Sequence, residues 1–203
     1  MSAVSAKTNR TTRGFPKKEL RVIGFDDSPF DKFDPSQRQV LVVGSVFRGG
    51  EFMDGLLSCY VDKDGEDATL KLINLVNNCK FKPQLQAIFL DGIAFAGFNV
   101  VNIFSLNRLT GIPVIVVVRD KPDLEKIFSA LGKLGMGKKI DLIKKFPEPV
   151  NMNCVYVQSI GMSMDDTRKL LKVCCTRANI PEALRFSHLV ASGIVEGESR
   201  GRA

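Results

Sequence analysis

Two aspartates stand at the ends of apolar, strand-like runs: Asp26 in "RVIGFDDSPF" and Asp91 in "QAIFLDG". If these strands are parallel neighbours, their ends emerge at one sheet edge about 5 Å apart. Two carboxylates held that close repel, and one must take up a proton unless a cation lies between them. Mg²⁺ suits such a place, because it binds through a few carboxylates, waters and phosphate oxygens. Mn²⁺ is the expected substitute. A pair of such ions about 4 Å apart activates a water and stabilises the leaving oxygen of a phosphodiester. Asp67, at the start of the next helix, is the expected third acid, with Asp64, Asp54, Glu51 and Asp27 as rivals. Asp27 is kept in the metal site, although the strand pleat turns it to the opposite face, as suits a supporting or turn residue. Taken singly, "DDSP" and "LDG" also read as ordinary turns. It is their pairing on neighbouring strands that points to chemistry.

Other phosphate and hydrolytic chemistries fit less well. There is no GxxxxGK[ST] loop and no GxGxxG, and Ser28 stands where an aspartate-phosphatase pattern requires a second acid. The single histidine, His188, shares a helical face with Leu184, Ala191 and Val195 and reads as structural. The five cysteines (59, 79, 154, 174 and 175) follow no CxxC spacing and read as reduced packing thiols of a cytoplasmic protein. No run approaches the roughly 20 apolar residues of a membrane span, and the N-terminus shows no apolar signal core.

The chain has 203 residues and a net charge of +7, unevenly spread. Residues 22–67 carry ten Asp/Glu against four Lys/Arg, whereas residues 119–146 carry eight basic against four acidic. An acidic segment inside a basic chain reads either as a solvated face or as a cation-binding cluster that meets a polyanion. Residues 1–14 are polar and basic and read as a disordered arm, leaving residues 15–203 as one domain.

The positioning elements follow from pattern. Residues 20–25, 39–47 and 52–61 read as strands, the last two joined through Gly49-Gly50 as a hairpin. Leu72, Leu75, Val76 and Cys79 mark one buried helical face. Residues 86–92 form a strand, "AGFNVVNIFSLNRLTG" a helix closed by Gly111, and "IPVIVVV" a parallel strand covered on both faces. Residues 123–145 form a helical stretch broken at Gly132, Gly135 and Gly137. "NCVYVQ" is a last short strand. Helices over 164–178 and 181–194 complete the domain, and the tail "EGESRGRA" reads as loose. An antiparallel β1-β2-β3 start followed by βαβ units predicts an α/β mixed sheet with helices on its faces, the ribonuclease H-like layout, with β1 beside the fourth strand.

The segments "RVIGFDDSPF", "VFRGGEFMDGLLS", "DGEDATLKLINL", "IFLDGIAFAGFNVVNI", "TGIPVIVVVRDKP" and "IPEALRFSHLVASGI" together resemble the largely archaeal endonuclease dU family, relatives of endonuclease V, from about residue 17 onward. The resemblance implies a ribonuclease H-like fold and Mg²⁺-dependent hydrolysis of DNA at or near deaminated bases. It maps the catalytic acids to Asp26, Asp91 and Asp67, sets Arg119 near the basic residue after the fifth strand, and matches "IPEALRFSHL", with Arg185 and His188, to the C-terminal proline–acid–arginine helix of endonuclease V. The Tyr/Pro wedge of endonuclease V is missing here, as is the histidine that follows its DG. DNA, damaged or single-stranded, is the expected partner. Lys138 and Lys139, with Lys133, Lys144 and Lys145, are expected on backbone phosphates, and Arg48 beside Gly49-Gly50 could cradle one. A non-cleaving nucleic-acid-binding protein, or a nuclease for structured or RNA substrates, are alternatives on the same fold.

Overall fold

Continuous apolar runs, buried on both faces, set the central strands of the sheet. The computed structural model describes residues 19–201, so the expected basic arm lies outside the described residues. β1 (Arg21–Asp27), β2 (Gln39–Arg48) and β3 (Phe52–Asp62) form an antiparallel meander that turns at Gly49-Gly50. After α1 (Ala68–Asn78), β4 (Leu85–Asp91) returns parallel to β1. A small hairpin, β5 (Ala94–Phe95) and β6 (Asn99–Val100), precedes α2 (Ile103–Thr110). β7 (Val114–Val118) then lies parallel to β4. α3 (Leu124–Lys133) and α4 (Gly137–Ile143) lead to a second hairpin, β8 (Val150–Met152) and β9 (Val155–Ile160), with β9 antiparallel to β7. α5 (Met164–Cys174) and α6 (Glu182–Glu196) follow. The seven-stranded order is β3-β2-β1-β4-β7-β9-β8. The mixed sheet with β1 beside β4 is as expected.

Three local expectations change. The helix expected from residue 96 begins only at Ile103, because the β5–β6 hairpin takes up the preceding residues and Asn102 caps α2 by accepting from the Ser105 N–H at 3.0 Å. β8 was not foreseen, being only three residues long. The described part of the C-terminal tail, up to residue 201, is not loose. Gly197 ends α6 at φ +79, a left-handed conformation that favours glycine, and reverses the chain. The Ser199 hydroxyl then donates to the Leu189 carbonyl at 2.7 Å, and the Arg200 N–H donates to Ser192 Oγ at 3.0 Å.

Period two separates two cores. Ile23, Phe25, Ile88 and Leu90 face α1–α4, whereas Val22, Ala87 and Phe89 face α5 and α6. Small residues let α6 lie directly on β1 and β2. A Cβ on Gly24 would fall 2.6 Å from the Ala183 carbonyl carbon and the Leu184 nitrogen. In that narrow gap Ser187 Oγ donates to the Gly24 carbonyl at 2.7 Å and accepts from the Ser45 N–H at 2.9 Å, while Ser45 Oγ donates to the Ala183 carbonyl at 2.6 Å. Among the described residues no helix is long and apolar enough to cross a membrane.

Candidate active site

The β1–β4 register pairs Phe25 with Leu90, so Asp26 and Asp91 are the next residues on two parallel neighbours. Extending the alternation, Asp26 follows Val22 and Gly24, and Asp91 follows Ala87 and Phe89, so both emerge on the α6 face of the sheet. Asp26 is 6% exposed. Its Oδ1 accepts from the Asp27 N–H at 2.9 Å, and its Oδ2 lies 2.9 Å from His188 Nδ1. Burial, then the neighbouring charge of Asp26, pushes the Asp91 carboxyl up to about 7, while Arg119 and His188 pull it down. The two carboxyl groups thus act on each other electrostatically at the strand ends.

His188 is a correction to the sequence reading. Its helical neighbours Leu184 and Ala191 are buried against the sheet as expected, but Val195 is exposed, and the imidazole lies at the rim on Asp26 rather than in the apolar core. Nδ1 faces the Asp26 carboxylate and Nε2 faces the Arg200 carbonyl at 3.1 Å. Both neighbours are acceptors, so each ring nitrogen is satisfied by carrying a proton. The hydrogen bond to Asp26 accordingly raises the His188 pKa against the opposing effect of burial. The signal available in the sequence was the resemblance of "IPEALRFSHL", with His188, to the C-terminal helix of endonuclease V; nothing in the spacing of His188 to Asp26 pointed to the contact.

Asp27 faces the other core. Its Oδ2 accepts from the Ala96 N–H at 2.6 Å, and burial followed by the charge of Asp26 pushes its carboxyl up to about 6. It therefore ties the hairpin after Asp91 to the end of β1. Asp67 holds a different junction. Its Oδ1 accepts from Asn99 Nδ2 at 2.6 Å and from the Asp62 N–H at 3.1 Å, and Lys71 lies 3.9 Å from Oδ2. The charges acting most strongly on Asp91 are those of Asp26, Arg119, His188 and Asp27. Among the rival acids, Asp64 Oδ1 accepts from the Phe98 N–H, and Asp54 is held near 2 by Arg48 and Arg21.

The basic residues divide. Lys138 is exposed on α4. Lys139, expected on phosphates, is instead 7% exposed, and its ammonium donates to the carbonyls of Asp64, Gly65 and Phe98 at 2.7–2.9 Å. All three of its donors are engaged, so it is a loop staple rather than a surface cation. Arg48 is also displaced from the expected place: it pairs with Arg21 at the start of β1 and bridges Asp54 at 2.8 Å. Five residues of strand, about 17 Å, separate that end from Asp26. Arg185 donates through Nε and Nη2 to Glu182, itself 1% exposed, and stacks 4.6 Å over Phe186. Arg119 follows β7 directly, at the Asp91 edge, and its charge acts on Asp91.

A cavity of about 390 Å³ opens beside Gly92, the residue after Asp91. Ile93, Phe98, Phe128, Phe146 and Gln158 are among its walls, which are mostly apolar.

The donor set fits a hard divalent cation. Asp26 and Asp91 supply oxygen only, their crowding is relieved by a cation, and each Asp26 oxygen, bound once, keeps a second lone pair. Among the described residues no group of three or more His, Cys, Asp and Glu is placed to hold a metal ion. Two carboxylates completed by water and phosphate suit Mg²⁺ or Mn²⁺, whereas a structural zinc site needs four protein ligands.

Residues 18–195 match the sequence profile of the endonuclease dU family. A UPF0215 protein of Methanothermobacter thermautotrophicus is 43% identical over 192 residues, covering 92% of this chain and 93% of the relative. One from Methanosarcina acetivorans is 43% identical over 194 residues, covering 92% and 96%. A crystal structure of a protein of unknown function from Archaeoglobus fulgidus superposes with a TM-score of 0.81 at 40% identity, covering 88% of this chain and all of that one. Endonuclease V of Ciona intestinalis, in complex with DNA containing an inosine followed by a ribo-adenosine, superposes with a TM-score of 0.59 at 16% identity, covering 89% and 87%. The last match bears on the fold alone, which is that of the ribonuclease H-like endonuclease V.

Proposed function

Since the chain belongs to the endonuclease dU family, we propose that it is a metal-dependent endonuclease that hydrolyses DNA phosphodiester bonds at or near deaminated bases. The observation that carries this reading is the pair Asp26 and Asp91, delivered by adjacent parallel strands to one face of one sheet edge. These two carboxylates would hold Mg²⁺ or Mn²⁺. A bound ion of this kind supplies a polarised water and neutralises charge on the phosphate oxygens. His188 and the Asp27 N–H orient Asp26 from both of its oxygens. Arg119 brings positive charge to the same edge, and exposed Lys138 suits a backbone phosphate. A base taken out of its stack needs an apolar receptor with polar contacts, and the cavity beside Gly92 has the walls and the volume for one. That the fold relative holds inosine-containing DNA agrees with this reading.

The test incubates the protein with Mg²⁺ or Mn²⁺ and DNA strands carrying uracil, hypoxanthine or no lesion, beside Asp26→Ala and Asp91→Ala. Cutting of the lesion strands that both substitutions abolish is the expected result. Cutting that survives both would refute the site. Tight, salt-sensitive binding without any cutting would favour a non-cleaving reader of nucleic acid.

A further inference from the structure

The sequence after α6 has the composition of a loose tail, yet residues 197–201 make a turn and three specific contacts. Gly197 turns it back, Ser199 bonds the Leu189 carbonyl, the Arg200 N–H bonds Ser192 Oγ, and the Arg200 carbonyl meets His188 Nε2. Residues 198–201 thus run back along α6 as far as His188. At Gly201 a Cβ would sit 3.4 Å from His188 Nε2, so the chain passes in van der Waals range of the ring.

We propose that residues 198–201 are a positioning strap of the active centre: they fix the plane of the His188 ring, and through it the Asp26 carboxylate. A ring gripped at one nitrogen can still swing about that bond. Gripped at both, by Asp26 Oδ2 on one side and the Arg200 carbonyl on the other, it cannot. Second-sphere hydrogen bonds of this kind orient metal-binding carboxylates, and their loss typically lowers metal affinity or activity 10- to 100-fold. The inference rests on Asp26 as a metal-holding group.

His188 is the only histidine, so its ring ¹⁵N–¹H correlations are assigned without ambiguity. The metal-free protein should show a protected Nε2–H signal. A chain ending at Gly197 should lose it, and the Mn²⁺ concentration for half-saturation, read by titration, should rise about tenfold. Ser192→Ala, which removes one anchor of the strap at full chain length, should move both readouts in the same direction, and it carries the test should the shortened chain melt early. In a His188→Ala background the truncation should cost nothing more, because the strap acts through the ring. An unchanged ring signal and Mn²⁺ affinity in both strap variants, or a truncation effect that adds in full to His188→Ala, would overturn the proposal. Failure of the wild type to bind Mn²⁺ or cut DNA would sink the nuclease reading instead, and the ring signal would still decide whether the strap holds His188.

Discussion

Gly24→Ala is a single methyl group placed where the fold has no room. Its Cβ would lie 2.6 Å from two backbone atoms of α6, at Ala183 and Leu184, where ordinary contact begins near 3.4 Å. Neither neighbour is a side chain that can rotate away, so α6 must withdraw by roughly 0.8 Å. Overpacking of this kind costs about 1–3 kcal/mol. For a chain of this size each kcal/mol lowers the melting temperature by about 2–4 °C, giving a drop of about 2–12 °C. The same retreat lengthens the Ser187–Gly24 bond, now 2.7 Å, and the His188–Asp26 bond, now 2.9 Å, because Ser187 and His188 ride on α6 while Gly24 and Asp26 stay on β1. Positioning errors near 1 Å cost up to about 100-fold in rate. The assay pairs thermal melting by circular dichroism with the His188 ring signal and the Mg²⁺-dependent cutting rate. A variant that melts within about 1 °C of wild type with an unchanged ring signal would refute the claim that Gly24 sets the approach of α6.

Three further outcomes are expected. Asp91 and Asp27 have folded-state pKa values raised to about 7 and about 6 from an ordinary 3.8, so the folded state binds more protons than the unfolded one. Their contribution to stability is full below about pH 4 and is lost as pH rises through 6 to 7. The metal-free protein should therefore resist urea better at pH 5 than at pH 8, Asp91→Asn should flatten that dependence, and Mg²⁺ should restore wild-type stability at pH 8 by binding the folded state. Lys139→Ala leaves three carbonyls without their donor and should destabilise the fold by about 1–3 kcal/mol, read by urea titration, with no change in the salt dependence of DNA binding. Lys138→Ala should do the reverse: unchanged stability, and a log–log salt slope smaller by about one.

The continuous apolar runs of "VIGFDD" and "AIFLDG" were enough to place Asp26 and Asp91 at the ends of strands, because burial on both faces leaves few other homes for such runs, and the pleat gave the face of each residue. It also sent Asp27 to the opposite face, where Ala96 meets it. The antiparallel start and the break at Gly135 were legible because each is written in residues close together in the chain, and the neighbouring of β1 and β4 followed from the order of the elements; Gly132, expected to break the helix, lies inside α3, and Gly137 opens α4. The β5–β6 hairpin was not legible, since two-residue strands carry no period.

What tertiary structure alone decided lies between residues far apart. His188 is 162 positions from Asp26, and their contact depends on how closely α6 can approach β1. That distance is set by the absence of a side chain at Gly24 and by the hydroxyls of Ser45 and Ser187, none of which carries a chemical signature in sequence. Lys139 looks like its surface neighbour Lys138 until the loop of Asp64 and Gly65 and the carbonyl of Phe98 close around it. The polar tail acquires a place only when Ser192 and His188 offer it partners. Local pattern is enough to settle where the acids leave the sheet. Which groups surround them there is settled by the packing of a helix on that sheet, a balance of close contacts that no single segment contains.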